Sequence, residues 1–332
     1  MPSLPDLPTE LLMEIVKCYP ELLSEVDACL HGVHIDQFDG NDVLRTLSQT
    51  CRALRNIFFP VLWTRVRATF NARVLVKRNK MWTRTTMLER RMRGILTTPY
   101  VVPYIRSLSI TVDECKKGDW RPMAAFIRVL DLLPRLQSLT ILGVSMESIN
   151  TAFELPWAKK VYPSIVALAL PDDLAPILHC FPNVQTLTMS NRWYLTYRPS
   201  SGKLFSAARN RCKAIHTVNN LAVSAEAIKS LREAIPTVQH LLIWENVCWK
   251  LDILPLLEGM DNLSDLRIRC RAPRLNDPSR PLLVEAIAAA KRILQTSKAP
   301  HRKELRIQHL EDARPDDLVI REETLFVVGA FQ

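Results

Sequence analysis

The sequence predicts an α/β protein: a small helical module, then a strand-and-helix solenoid with a parallel sheet on its concave side. Three observations predict it. Amphipathic stripes at helical spacing fill the first seventy residues, an alternating apolar phrase recurs beyond residue 100, and helical stretches precede most of its copies. With 48% hydrophobic residues and only 8 glycines in 332, the chain is too apolar for disorder. No run reaches the roughly 18 to 20 apolar residues of a membrane helix. The start, Met1-Pro2-Ser3-Leu4-Pro5-Asp6, lacks the basic-then-apolar order of a signal peptide. A soluble protein of the cytoplasm, the nucleus or both is expected.

The first element is a short helix. Pro8 suits a first helical turn, where its missing N–H costs nothing, and Glu10 complements the positive end of the helix dipole. Leu11, Leu12, Ile15 and Val16 then give one apolar stripe. A second helix is expected from an Asn41 or Asp42 cap, with Val43, Leu44, Leu47, Cys51 and Leu54 as its stripe. Pro60 is expected to hold Phe59 extended and to end this helix before a third short element with Leu62, Trp63 and Val66. So small a unit cannot bury every apolar side chain among its own, and a stripe left open marks a partner site.

In order, these residues give Leu-Pro, then Ser-x-x-Cys-Arg-x-Leu (Ser48 to Leu54), then Pro-x-x-Trp (Pro60 to Trp63). The pattern resembles an F-box. That resemblance implies docking on the Skp-type adaptor of a cullin ubiquitin ligase, with the rest of the chain choosing the substrate. It assigns Leu7, Pro8, Leu11, Leu12 and Ile15 to the adaptor surface, together with Leu44, Leu47, Ser48, Cys51, Leu54 and Trp63. It departs from the family in one respect: 25 residues, Lys17 to Asn41, separate the first two helices. A looped-out extension, cheap in entropy, and an altered docking surface both fit that insert.

Residues 1–70 therefore read as the helical module, with an acidic insert near 17–41, and 71–100 as a basic helical linker. Between 71 and 95 stand eight basic residues (Arg73, Lys77, Arg78, Lys80, Arg84, Arg90, Arg91, Arg93) against Glu89 alone. Between 20 and 42 stand six acids and no Lys or Arg. A solvated basic face, pairing of the two segments, and an acidic partner are all open. So is nucleic-acid binding, with Trp82 among the cations.

From 101 to 332 one phrase repeats: Pro, apolar at +2, Leu at +5, apolar at +7. It runs Pro103/Ile105/Leu108/Ile110, Pro134/Leu136/Leu139/Ile141, Pro163/Ile165/Leu168/Leu170 and Pro182/Val184/Leu187/Met189. After a degenerate unit around Ile215 and Val218 come Pro236/Val238/Leu241/Ile243 and Asp261/Leu263/Leu266/Ile268. The last copy, Pro300/Arg302/Leu305/Ile307, lacks the +2 apolar residue. Seven steps span 197 residues, about 28 each, on the leucine-rich-repeat scale. Helical stretches, Met123 to Leu133, Asp172 to Cys180, Ser224 to Ala234 and Leu282 to Thr296, end at or just before the next strand phrase. Stacked units of this kind bury their neighbours' apolar faces. The region resembles the leucine-rich-repeat-like part of fungal F-box proteins, entered here through Met87 to Leu96 and Tyr104-Ile105-Arg106-Ser107-Leu108.

On such strands the +4, +6 and +8 positions are expected to face the concave side. They are small or neutral early on: Ser107, Ser109, Thr111, then Ser138, Thr140, Leu142, then Ala167, Ala169, Pro171. Later they become His240, Leu242, Trp244, then Asp265, Arg267, Arg269, then Glu304, Arg306, Gln308. Trp244, Arg267, Arg269 and Arg306 are thus the candidate substrate-binding residues, suited to an acidic or phosphorylated segment. No phosphate-binding Gly-rich loop, nucleophile elbow or His-Glu-x-x-His is present. No catalysis or cofactor is expected, and His31 and His34 with Asp36 or Asp39 carry no metal-ligand signature. The eight cysteines form no Cys-x-x-Cys and read as reduced thiols. The function expected is substrate recognition within a Skp-cullin-F-box ligase. The alternatives are a repeat scaffold that does not engage the adaptor and nucleic-acid binding through 71–95.

Overall fold

The computed structural model of the chain describes residues 7–17, 40–68, 84–112, 121–142, 157, 159–190, 202–222, 224–245, 254–271, 280–314 and 317–328. It is mixed α/β with mostly parallel strands, and its contacts divide into two units, Met1–Ser148 and Ile149–Gln332. In the first unit α1 (Thr9–Lys17), α2 (Gly40–Thr50) and α3 (Arg52–Leu62) precede β1 (Arg65–Ala68). Then come α4 (Arg84–Leu96), a 3-10 turn (Pro99–Tyr104), β2 (Ser107–Thr111), α5 (Arg121–Asp131) and β3 (Ser138–Leu142). Strands β1, β2 and β3 pair in parallel, with Val66 opposite Leu108 and Leu108 opposite Leu139.

The helical module departs from expectation at several points. α2 starts at Gly40, so Asn41 and Asp42, expected as its cap, lie inside it. Cys51 is extended (φ −151°, ψ 168°), so the expected second helix is two helices, and Cys51 caps α3 as its carbonyl accepts from Arg55 N–H at 2.9 Å. Its thiol is exposed and leaves the apolar stripe. Pro60 lies inside α3 rather than ending it, and Phe59 is helical. In a last turn a proline removes a single hydrogen bond, and Thr64 Oγ1 donates to its carbonyl at 3.0 Å. The element after it is a strand, β1.

The second unit holds β4 (Ala167–Leu170), a 3-10 helix (Asp172–Cys180), β5 (Thr186–Met189), α6 (Lys203–Arg211), β6 (Thr217–Ala222) and α7 (Ala225–Ala234). It continues with β7 (His240–Glu245), a 3-10 turn (Leu254–Leu257), β8 (Asp265–Arg271), α8 (Arg280–Thr296), β9 (Lys303–Arg314) and β10 (Asp317–Val328). Strands β4 to β9 are parallel neighbours in chain order, whereas β10 pairs antiparallel with β9. Among the described strands the parallel run thus gives way to a hairpin that the sequence phrase does not announce.

Six of the phrases place the strand start at +4, and one bonding pattern explains why. The residue before the phrase accepts a hydrogen bond from the +2 N–H, as in Leu133 to Leu136, Phe181 to Val184 and Ile235 to Val238, at 3.1–3.4 Å. The proline therefore sits second in a tight turn, where its fixed φ is favoured. Next, the N–H groups at +3 and +4 both donate to the +3 carbonyl of the preceding repeat. Arg106 O takes Gln137 and Ser138, Val166 O takes Gln185 and Thr186, and His216 O takes Gln239 and His240, all at 2.8–3.0 Å. Thr64 O takes Arg106 and Ser107 in the same way at 2.9–3.0 Å, so the ladder begins at Thr64, within the span read as helical module.

This shared step fixes the register. Leu168, Leu187, Val218, Leu241, Leu266 and Leu305 form one row across six strands, each no more than 1% exposed. The degenerate unit keeps its place by a bulge between Val218 and Leu221, where Asn220 adopts φ 58°, a left-handed conformation that Asn tolerates. A helix absent from the sequence reading, α6, leads into this unit; Leu204 N–H donates to buried Asp172 Oδ1 at 3.0 Å. Ahead of it Gly202 has φ 71°, and a Cβ there would meet Ser230 Oγ at 2.7 Å. α7 is capped by Ser224, whose Oγ accepts from Ala227 N–H at 3.1 Å.

Leu241→Ala is expected to cost about 2–5 kcal/mol by opening a cavity in the row. Pro236→Ala keeps every hydrogen bond of its turn and should cost about 0.4–1 kcal/mol through the looser unfolded chain. Urea unfolding of the two variants measures both.

Candidate functional site

Two surfaces carry the residues singled out by sequence, one in each unit. In the first, Leu12 packs with Leu44, Leu54 and Phe58 to form the core of the helical module. Leu7, Leu47, Ile57 and Leu62 pack against it. Leu11 and Ile15, one helical turn apart on α1, are left 52% and 40% exposed. Pro8 and Cys51 are also exposed, whereas Ser48 is buried and donates to Arg45 O at 2.8 Å. The residues of the F-box-like pattern thus divide into a sealed set (Leu12, Leu44, Ser48, Leu54), a half-buried one (Leu7, Leu47, Trp63) and an open one (Pro8, Leu11, Ile15, Cys51). Trp63 is half-buried, 6.1 Å from the Phe59 ring. Phe59 in turn stacks on Tyr100 at 6.0 Å and meets the edge of Tyr104 at 6.1 Å, with Arg55 lying 5.6 Å from its centroid. Sequence reading missed this cluster, although Tyr100 and Tyr104 flank a phrase proline.

Of the basic segment, Arg73, Lys77, Arg78, Lys80 and Trp82 lie outside the described residues, as does most of the acidic insert with His31 and His34. On α4, Arg93 pairs with Glu89 at 2.6 Å. Burial, with Arg45 and Arg90 close by, pushes the Arg91 guanidinium below its ordinary value.

In the second unit the ladder brings three of the candidate binding residues together. Arg267 stands opposite Arg306, and Arg269 opposite Gln308. Trp244 stands opposite Arg269, its side chain outside the described residues. The guanidiniums are already engaged. Arg267 donates through Nε and Nη2 to Asp265 Oδ2 at 2.9 and 2.6 Å. Arg306 repeats the geometry on Glu304 Oε2 at 3.2 and 2.6 Å. Its hydrogen bond to Glu304 raises the Arg306 pKa above the ordinary value against the opposing effect of burial. Arg269, buried, donates twice to Gln308 Oε1 at 3.0 and 2.9 Å. His240 Nδ1 lies 3.6 Å from Asp265 Oδ2. On the early strands Ser109, Thr111 and Thr140 are buried, so the expected open face is closed there.

The buried thiols are structural. Cys180 Sγ donates to Trp157 O and Cys212 Sγ to Phe181 O, each at 3.4 Å. Burial pushes the first up to about 12 and the second to about 11, with Arg211 pulling the latter back. Among the described residues no group of three or more His, Cys, Asp or Glu is placed to hold a metal ion, and no helix is long and apolar enough to cross a membrane. No protein-family model and no curated protein matches the chain.

At pH 8 a maleimide should label Cys51 within minutes and leave Cys180 and Cys212 unmodified until denaturant is added; mass spectrometry reads the sites. The same thiols set a sign for alkaline stability. Both keep their protons in the fold above the ordinary value of 9.0, whereas the unfolded chain releases them. Their contribution is whole below that value and is lost as pH rises through about 11 to 12.

Proposed function

We propose that this chain is a recruiting subunit without chemistry of its own. The helical module docks on a Skp-type adaptor, and through it on a cullin ubiquitin ligase, while the repeat region presents a target protein. One observation carries the reading. α1 commits Leu12 to the module's core and leaves Leu11 and Ile15, on the adjoining side, open to solvent. Two apolar side chains one turn apart on a short helix are what helix-in-groove docking uses. The order Leu-Pro, Ser-x-x-Cys-Arg-x-Leu, Pro-x-x-Trp supports the same partner. The contribution to ubiquitin transfer is local concentration: a tethered target meets the charged enzyme as an intramolecular neighbour.

Purified full-length chain and Skp adaptor, mixed and passed through a sizing column, test the reading. The double variant Leu11→Asp/Ile15→Asp should lose about 3–6 kcal/mol of contact, at about 1.5–3 kcal/mol per apolar side chain. That is a hundredfold or greater loss of affinity. Both positions are exposed, so urea stability should move by no more than about 1 kcal/mol for the two substitutions together. Failure of the native chain to bind the adaptor would leave the repeat scaffold as the reading.

A further inference from the structure

We infer that the β8–β10 face of the second unit binds an extended, uncharged apolar segment of a partner protein, and is not built to capture an acidic or phosphorylated one. The inference rests on the proposed role of the repeat region as the target-binding part.

The argument starts from the carboxylates. Asp265 and Glu304 each stand two residues before an arginine on the same strand, hence on the same face. Each grips the Nε/Nη2 side of its arginine with one oxygen, and Glu304 holds Arg302 Nε at 3.2 Å with the other. A guanidinium held this way has already lost its rotamer freedom, and its charge is matched locally. A phosphate or carboxylate arriving here would have to compete with a fixed partner at each site. A neutral main-chain carbonyl has no such competitor, because Nη1 points away from the gripped side. Arg306 Nη1 has only Glu323, at the far limit of 4.0 Å, and among the described residues Arg267 Nη1 has no partner. Arg267 and Arg306 are directly opposite in the ladder, about 4.8 Å apart across the strands, and so form a pair of presented donors.

The apolar half of the site comes from β10. Leu325 stands opposite Arg306 and Val327 opposite Glu304, so each extends a row across the strand boundary. Between them Phe326 lies 3.9 Å from Lys291 Nζ of α8. Alternation therefore puts Leu325 and Val327 on the face away from that helix. They are 48% and 47% exposed. Arginines already held by Asp265, Glu304 and Glu323, beside two open aliphatic side chains, complement a neutral segment offering carbonyls and apolar side chains.

The test is selection of a randomised displayed library of peptides, about twelve residues long, on the full chain. Recovered peptides are then titrated by fluorescence anisotropy at about 0.05 and 0.15 M salt. Expected are sequences rich in apolar residues with no excess of Asp or Glu, and affinities that differ less than about threefold between the two salts. Leu325→Asp and Val327→Asp should each weaken binding about tenfold or more. Glu304→Gln, by freeing Arg306, should weaken these peptides and strengthen acidic ones. Acidic or phosphopeptide preference with steep salt dependence overturns the inference. So does recovery of no peptide, or of peptides indifferent to both β10 variants while urea unfolding shows the variants folded. The adaptor assay uses the other unit's surface, so either reading can fail while the other stands.

Discussion

A single carbonyl per repeat governs how the strands are joined. Where the +3 C=O of one unit receives the +3 and +4 N–H groups of the next, the incoming chain is fixed in position and direction before its strand begins. Everything downstream in the unit follows from that fixed point: strand start, the burial of +5 and +7, and the exposure or engagement of +4, +6 and +8. The turn proline prepares the geometry by removing freedom from the residues just ahead. The side chain at +1 reinforces it in places, as Asn183 donates to Pro163 O at 2.9 Å and Asn262 to Pro236 O at 3.2 Å. Steps of unequal length are tolerated because they change what lies between strands and leave the fixed point alone.

The helical module meets a different constraint. Its helices are too short to cover one another, so the core is small and centred on Leu12, Leu44, Leu54 and Phe58. Burial of one α1 side chain comes with the exposure of its neighbours, because adjacent helical residues point about 100° apart. Core packing and solvent exposure thus fall to different residues of the same short helix. Phe59, Trp63, Tyr100 and Tyr104 then tie the end of α3 to the 3-10 turn that precedes β2.

Much of this was legible in the sequence. The phrase located β2 to β5 and β7 to β9, since a turn proline and a +5 leucine are local signals with a direct structural cause. β1 escaped because it follows Trp63 without a phrase proline of its own, and β10 because charged residues interrupt its alternation. The break at Cys51 carries no Gly or Pro, the usual punctuation, and the apolar spacing runs on through it. The positions of Arg267, Arg269 and Arg306 were readable, and so was the presence of Asp265 and Glu304 on the same face, but the carboxylates were not read as partners of the arginines. Asp265-x-Arg267 and Glu304-x-Arg306 held the signal, because residues two apart on a strand share a side. Pairing of Arg269 with Gln308 depends on register between strands and is beyond local pattern.

The antiparallel hairpin at β9 and β10 has a bearing on how such a chain changes over generations. A parallel array can lengthen at its rim by adding another unit, since the last strand offers the same edge as every one before it. Here that edge is occupied by a strand running the other way, which presents no recurrent carbonyl for a newcomer to dock on. A unit inserted between existing parallel strands would meet the shared carbonyl on both sides, so added length before the hairpin would leave the pairing of β9 with β10 as it is.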